Sequence, residues 1–381
     1  MPEPNGVSST SWQGRTRVAA LDGLRGVAAV TVLIGHTFFA VSMPDGLRTA
    51  LLRSPLVLFV NGEGAVFLFF VLSGFCLASS AASSRTCGEV TQFYVRRVFR
   101  IHPPYMVALL FAWFASFLYG SSSLWSGLTE WIVRRSQVHL GADQLVQSLL
   151  WPGQAFGQLP VGWTLRVEIL FSLLLPLMML VARQSHWLVL VAGSALLLWD
   201  PVNPIADFRY GLCFSLGIAV FEVRDALGRF FATLSQIRAA LLVLAATAIF
   251  ALPQALKWPS EALQVIFSGS GGAVLMMGAL FVPFMSRIFS APAVAYLGKI
   301  SYSIYLFHFT VLILCTRVVR HPVTVAEWLG LLLLVFGLTT ILAALSYRYV
   351  ERPSINLGNG ICRALVRRRE AAVRASELSL S

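Results

Sequence analysis

Apolar side chains along this chain do not alternate with period two. They come in long runs of about twenty, the length that carries a helix across the ~30 Å hydrocarbon core of a bilayer. Ten such runs stand out, at 18–40, 64–80, 103–120, 161–182, 186–199, 207–223, 239–256, 262–286, 293–316 and 323–347. They predict an all-α polytopic bundle of about ten transmembrane helices. The fifth run is short enough for a tilted or re-entrant segment, and Gly62 and Gly64 beside Glu63 predict an irregular start to the second. The first run sits where a secretory leader would. Asp22 and Arg25 interrupt it and no small-residue cleavage site follows, so it is expected to remain as a helix.

Composition removes the soluble alternatives. Of 381 residues, 57% are hydrophobic and 12% charged, with mean hydropathy +0.75, against roughly 25% charged in an ordinary soluble domain. The short alternating strands of a membrane barrel are missing. A net charge of +12 and a pI near 10.1 would point to nucleic acid in a soluble chain, but here the cations gather between the apolar runs, where they set orientation. With the N-terminus in the cytoplasm, nineteen Lys and Arg flank the inner ends and eight the outer ends. Both termini are therefore predicted inside. The expected organisation is a disordered cytoplasmic tail over 1–17, a membrane domain over 18–356 and a solvated basic tail over 357–381. Five cysteines show no CxxC spacing, and Cys76, Cys213 and Cys315 fall inside apolar runs as small hydrophobes. They predict neither a disulfide framework nor a metal site.

Within the runs, ionisable groups are the informative positions, because each costs a few kcal/mol in a membrane unless paired or employed. Arg25 and His36 are eleven positions apart and return to nearly one helix face, about 16 Å apart along the axis. Asp22 and Arg25, at i,i+3, form an alternative neutralising pair. In FYVRRVFRIHPPY, Arg97 and Arg100 form a two-guanidinium fork suited to phosphate oxygens if the helix already runs there; Pro103 and Pro104 place a helix junction nearby. Glu168, in VGWTLRVE, lies about 10 Å below the outer surface, at a depth matching His36. A carboxylate orienting an imidazole suits proton removal, while pairing with Arg166 or another helix is the structural alternative. YLGKISYSIYLFH carries His308 one turn beyond Tyr305. Gly269, Gly271 and Gly272 are read as helix-packing positions rather than a phosphate loop. Trp125, Trp131 and Trp151, in the long outer segment 121–160, suit interfacial anchoring or stacking on sugar faces.

These segments together resemble the acyltransferase 3 family of multi-pass membrane O-acyltransferases. LDGLRGVAAVTVLIGH matches its opening Arg-to-His signature, and GAVFLFFVLSGF its second-helix motif. RRVFR matches its Arg-x-x-Arg pattern, WTLRVE its Trp-Ser-Leu-x-x-Glu with Thr164 in the serine position, and SYSIYLFH and YVERP its late motifs. The resemblance runs from residue 18 to about 356. It implies transfer of an acyl group, commonly acetyl from acetyl-CoA, to a hydroxyl of an extracytoplasmic glycan, in the inner (plasma) membrane of a bacterium. It implies His36, Glu168 and His308 as catalytic residues, with Arg25, Arg97 and Arg100 holding the polyanionic acyl-CoA at the inner face and no metal. His36 acts as base or as an acylated nucleophile. O-acylation of a small secondary metabolite such as a macrolide is the alternative acceptor reading, and a glycan or lipid carrier the alternative class. No Asp follows either histidine at the offset that glycerolipid acyltransferases use. About thirty residues follow the last run, so the chain is expected to act alone or with a separate partner.

Overall fold

The computed structural model describes residues 15–82, 86–118, 127–136, 141–150, 159–199, 207–318 and 324–380. In chain order its helices are α1 (Arg15–Ala40), α2 (Asp45–Leu52), α3 (Val57–Val60), α4 (Gly62–Ala81), α5 (Cys87–Phe117), α6 (Glu130–Ser136), α7 (Ala142–Leu150), α8 (Gly162–Gln184) and α9 (His186–Trp199), then α10 (Gly211–Glu222), α11 (Arg224–Thr233), α12 (Gln236–Leu256), α13 (Glu261–Phe281), α14 (Pro283–Phe289), α15 (Pro292–Val318), α16 (Val325–Ser346) and α17 (Arg352–Leu380). Among the described residues the only extended pairing is an isolated bridge between Val41 and Leu128. The expected all-α class therefore holds.

Eight of these helices are long and apolar enough to cross a membrane: α1, α4, α5, α8, α12, α13, α15 and the α16–α17 rod. The fifth run is short, as expected, and the sixth is shorter than expected. α9 has 14 residues and α10 has 12, about 21 and 18 Å of helix, short of the ~30 Å core. The sixth run begins as a 3-10 turn, Phe208–Tyr210, before α10 starts.

Helix boundaries follow local chemistry. α5 begins sixteen residues before the expected 103, because Thr86 and Glu89 form a reciprocal capping box. Pro103 and Pro104 lie inside it without breaking it, a cost that membrane helices tolerate. The eighth expected run, 262–286, is instead two helices: Val282 is extended because Pro283 follows it, and Pro283 opens α14. α12 ends at Lys257, a left-handed cap at φ 50°. α16 does not stop at 347; a π-turn over Tyr347–Glu351 leads directly into α17. The basic C-terminal segment, expected as a solvated tail, is helical and exposes Arg363, Arg367 and Arg368. Of the N-terminal tail, 1–14 lies outside the described residues, as do Trp125 and Trp151.

By their contacts the residues form two compact units: 1–32, 49–75 and 186–302 in one, 33–48, 76–185 and 303–381 in the other. The first is held by glycines that let backbones meet. A Cβ on Gly298 would stand 2.0 Å from the Asp22 carbonyl oxygen, and one on Gly26 2.5 Å from the Gly298 nitrogen. Gly271 likewise brings α13 onto α12, where a Cβ would lie 2.7 Å from the Phe250 nitrogen. The expected packing role of Gly271 is met. Arg25 belongs to this unit and is half-buried. The second unit contains the other five residues singled out from the sequence.

Candidate active site

The end of α1 and the middle of α15 bring two imidazoles together. Nδ1 of His36 lies 2.8 Å from Nε2 of His308, with the rings near-parallel and their centroids 5.1 Å apart. His308 is fully buried, whereas His36 keeps part of its surface accessible. The other ring nitrogen of His308, Nδ1, sits 2.8 Å from the Tyr305 carbonyl oxygen and 3.2 Å from that of Ile304. A carbonyl oxygen can only accept, so His308 Nδ1 carries a proton. In the neutral pair His308 Nε2 is then an acceptor, and His36 Nδ1 must donate to it. This leaves the Nε2 lone pair of His36 as the free basic site.

The His36 ring is walled by aromatic groups. Trp131 on α6 is tilted against it at 5.6 Å, and Phe309 meets it edge-on at 5.3 Å. Arg135, one helical turn beyond Trp131, lies within electrostatic reach of the same ring. Trp131 therefore belongs to the imidazole site.

Glu168 is not the partner of His36. Its Oε1 accepts from Arg97 at 2.8 Å, and the same guanidinium nitrogen reaches Ser172 Oγ at 2.8 Å. The expected carboxylate–imidazole pair is replaced by a carboxylate–guanidinium pair because α5 presents Arg97 to the face of α8 that carries both Glu168 and Ser172. One turn from Glu168, the Thr164 hydroxyl donates to the Val161 carbonyl at 2.9 Å and lies 3.0 Å from the Tyr305 hydroxyl. With its one proton committed, Thr164 accepts from Tyr305. The departure from the family's usual serine thus occupies a buried hydrogen bond next to His308.

The two arginines of the expected phosphate fork have different carboxylate neighbours. Arg97 and Arg100 share α5, but Arg97 pairs with Glu168 whereas Arg100 acts electrostatically on Glu351. Glu351, at the end of the π-turn, is 4% exposed and accepts from Ser303 Oγ at 3.1 Å; Ser303 Oγ is also 3.1 Å from Ser346 Oγ. Glu351 stands in YVERP, just past the tenth apolar run, where the sequence assigns it no role. Its signal was a carboxylate directly at the end of an apolar run, which calls for a partner. Glu168 lies one turn of α8 from Thr164, whose partner Tyr305 lies one turn of α15 from His308.

Comparison with known proteins follows this geometry. A family described as an acyltransferase domain matches residues 18–348. A curated relative, an acyltransferase named MdmB from Streptomyces mycarofaciens, is 34% identical over 171 residues, which cover 42% of this chain and 39% of that protein. The match thus spans about two fifths of that relative's length. No solved structure matches.

Proposed function

The chain belongs to the acyltransferase 3 family, and on that premise we propose that it moves an acyl group, acetyl in the first instance, from cytoplasmic acyl-CoA to a hydroxyl of an extracytoplasmic glycan. A transferase of non-aminoacyl groups built on membrane helices is the frame, and the His36–His308 hydrogen bond is the observation that carries the chemistry.

His36 Nε2 takes the proton of the acceptor hydroxyl as its oxygen attacks the thioester carbonyl. The tetrahedral centre collapses to an ester, and the departing thiolate takes the proton back from His36, leaving free CoA. His308 never contacts the reacting atoms. Its Nε2 lone pair holds His36 in the Nδ1-protonated tautomer and stabilises the imidazolium while the proton is on it, the part a carboxylate plays in a Ser-His-Asp triad. Glu168 enters as a positioning residue that docks Arg97 beside the Tyr305–Thr164 bond. Arg25, Arg97 and Arg100 put positive charge on the inner halves of their helices and favour an anionic donor there.

Orientation follows the flanking charge, with both termini cytoplasmic in a bacterial plasma membrane. Counting α9 and α10 as short segments removes a consecutive pair of crossings and leaves the direction of every later helix unchanged. The aromatic wall of Trp131 and Phe309 beside His36 also suits a small apolar acceptor such as a macrolide, the second reading.

Sealed, oriented vesicles test the proposal. Acyl-CoA on the cytoplasmic face should acylate a glycan acceptor confined to the opposite face. Product only when both substrates share the cytoplasmic face would reject the sidedness, and product with a macrolide but no glycan would select the second reading. Movement of glycan or lipid without any acyl transfer would make the chain a carrier.

A further inference from the structure

The three arginines of RRVFR point at three different neighbours. Arg97 meets Glu168, Arg100 acts electrostatically on Glu351, and Arg96 faces a cleft of about 380 Å³ between α5 and α17. Gln92 and Arg96 line it from α5; Asn359, Arg363 and Arg367 line it from α17. Both sets recur at i,i+4, so each forms a continuous row along one helix face. The cleft walls are fixed against each other close by: a Cβ on Gly358 would stand 2.8 Å from Phe99 Cβ, and Cys362 Sγ donates to the Gln92 carbonyl at 3.5 Å.

Among the described residues no carboxylate lines this space. Arg96 reaches only the Gln92 side-chain oxygen, at 3.4 Å, and Arg363 and Arg367 have no hydrogen-bond or ion-pair partner among the described residues. Three guanidinium groups gathered around one cavity repel one another until an anion enters. Their fork geometry matches phosphate oxygens, and the volume falls in the range of small-molecule sites. The flanking-charge count puts the cleft on the cytoplasmic side. Arg97, the next residue after Arg96, pairs with Glu168, one turn of α8 from the Thr164–Tyr305 bond.

We propose that the α5–α17 cleft holds the phosphate groups of the acyl donor through Arg96, Arg363 and Arg367. This rests on the acyl-CoA reading above and replaces the Arg97–Arg100 fork as the anion site. A phospholipid headgroup offers the same phosphate chemistry, so the test separates the two sources.

The full chain is purified in a nonionic detergent, and its affinity for CoA and for phosphate-free pantetheine is measured by calorimetry for wild type, R96Q and R363Q/R367Q. CoA affinity should fall at least tenfold in R363Q/R367Q and measurably in R96Q, with pantetheine binding unchanged. Equal CoA affinity in all three proteins overturns the cleft while leaving the donor reading standing. A matching loss for pantetheine overturns it too, because the effect is then not on phosphate. Wild type that binds no CoA overturns the donor reading and this inference with it. A parallel arm measures retention of phosphatidylglycerol in nanodiscs; a loss there in R363Q/R367Q with CoA affinity intact assigns the cleft to lipid and overturns the proposal.

Discussion

His36 Nδ1 stands 2.8 Å from His308 Nε2, and since the far nitrogen of His308 is committed to backbone carbonyls, only His36 can donate across that gap. The two histidines are therefore unequal. His36→Ala should lower turnover by roughly 100-fold or more, the usual loss of a general base, with membrane insertion intact. His308→Gln, which retains an acceptor for the His36 proton, should lose less than His308→Ala. The double variant His36→Ala/His308→Ala should be no slower than His36→Ala alone. Multiplicative losses in single-turnover kinetics would show that the two rings act independently.

Arg97 and Glu168 make a second linked pair, with side chains 15% and 23% exposed. At that burial, breaking one partner strands the other's charge, at a cost of about 1–3 kcal/mol after allowing for solvent screening. Arg97→Gln and Glu168→Gln should each lower the melting temperature in detergent. The double variant should recover much of the loss, because two neutral amides remain. A double variant less stable than either single would break the pairing argument.

Thr164 accepts the Tyr305 hydroxyl in a buried bond of 3.0 Å. Thr164→Ser keeps that acceptor and should melt within a degree or two of wild type. Thr164→Val removes that acceptor, at about 1–3 kcal/mol for a lost buried hydrogen bond, and should melt several degrees lower. Identical melting of the two variants would mean that the hydroxyl pair contributes nothing.

Glycine contacts give a prediction with internal controls. Gly298→Ala drives a Cβ to 2.0 Å from the Asp22 carbonyl oxygen, whereas Gly330 and Gly337 have nothing within 4 Å. Monodisperse yield in detergent should collapse for Gly298→Ala and hold for Gly330→Ala and Gly337→Ala. Full yield of all three would show that α1 and α15 do not approach as closely as the backbone geometry requires.

Much of this protein was legible before folding. In a bilayer a long apolar run has one way to satisfy its backbone, an internally bonded helix, so the all-α class and six of the eight long helices could be placed near their observed positions from the pattern alone. α5 and the α16–α17 rod were the exceptions: α5 starts early at a capping box in a polar stretch that hydropathy does not see, and the rod continues through a π-turn past 347. The same logic marked His36, Glu168, His308, Arg97 and Arg100, because ionisable groups in such runs need a reason to be there.

Their partners were not legible. Position along a helix suggests a depth, and equal depth paired Glu168 with His36 on paper. Only the lateral arrangement of helices decides which face meets which, and it turned α5 so that Arg97 took Glu168, Arg100 approached Glu351 and Arg96 was left beside the α17 arginines. The sequence by itself determined that these groups sit in or beside long apolar helices, since burial of apolar length dominates the energy; it did not fix their depth, because Arg97, read at the inner end of its helix, meets Glu168, read in the outer half of its own. Tertiary structure decided which charges meet, because a hydrogen bond or ion pair exists only within about 3–4 Å, a tolerance far finer than the depth to which hydropathy assigns a residue.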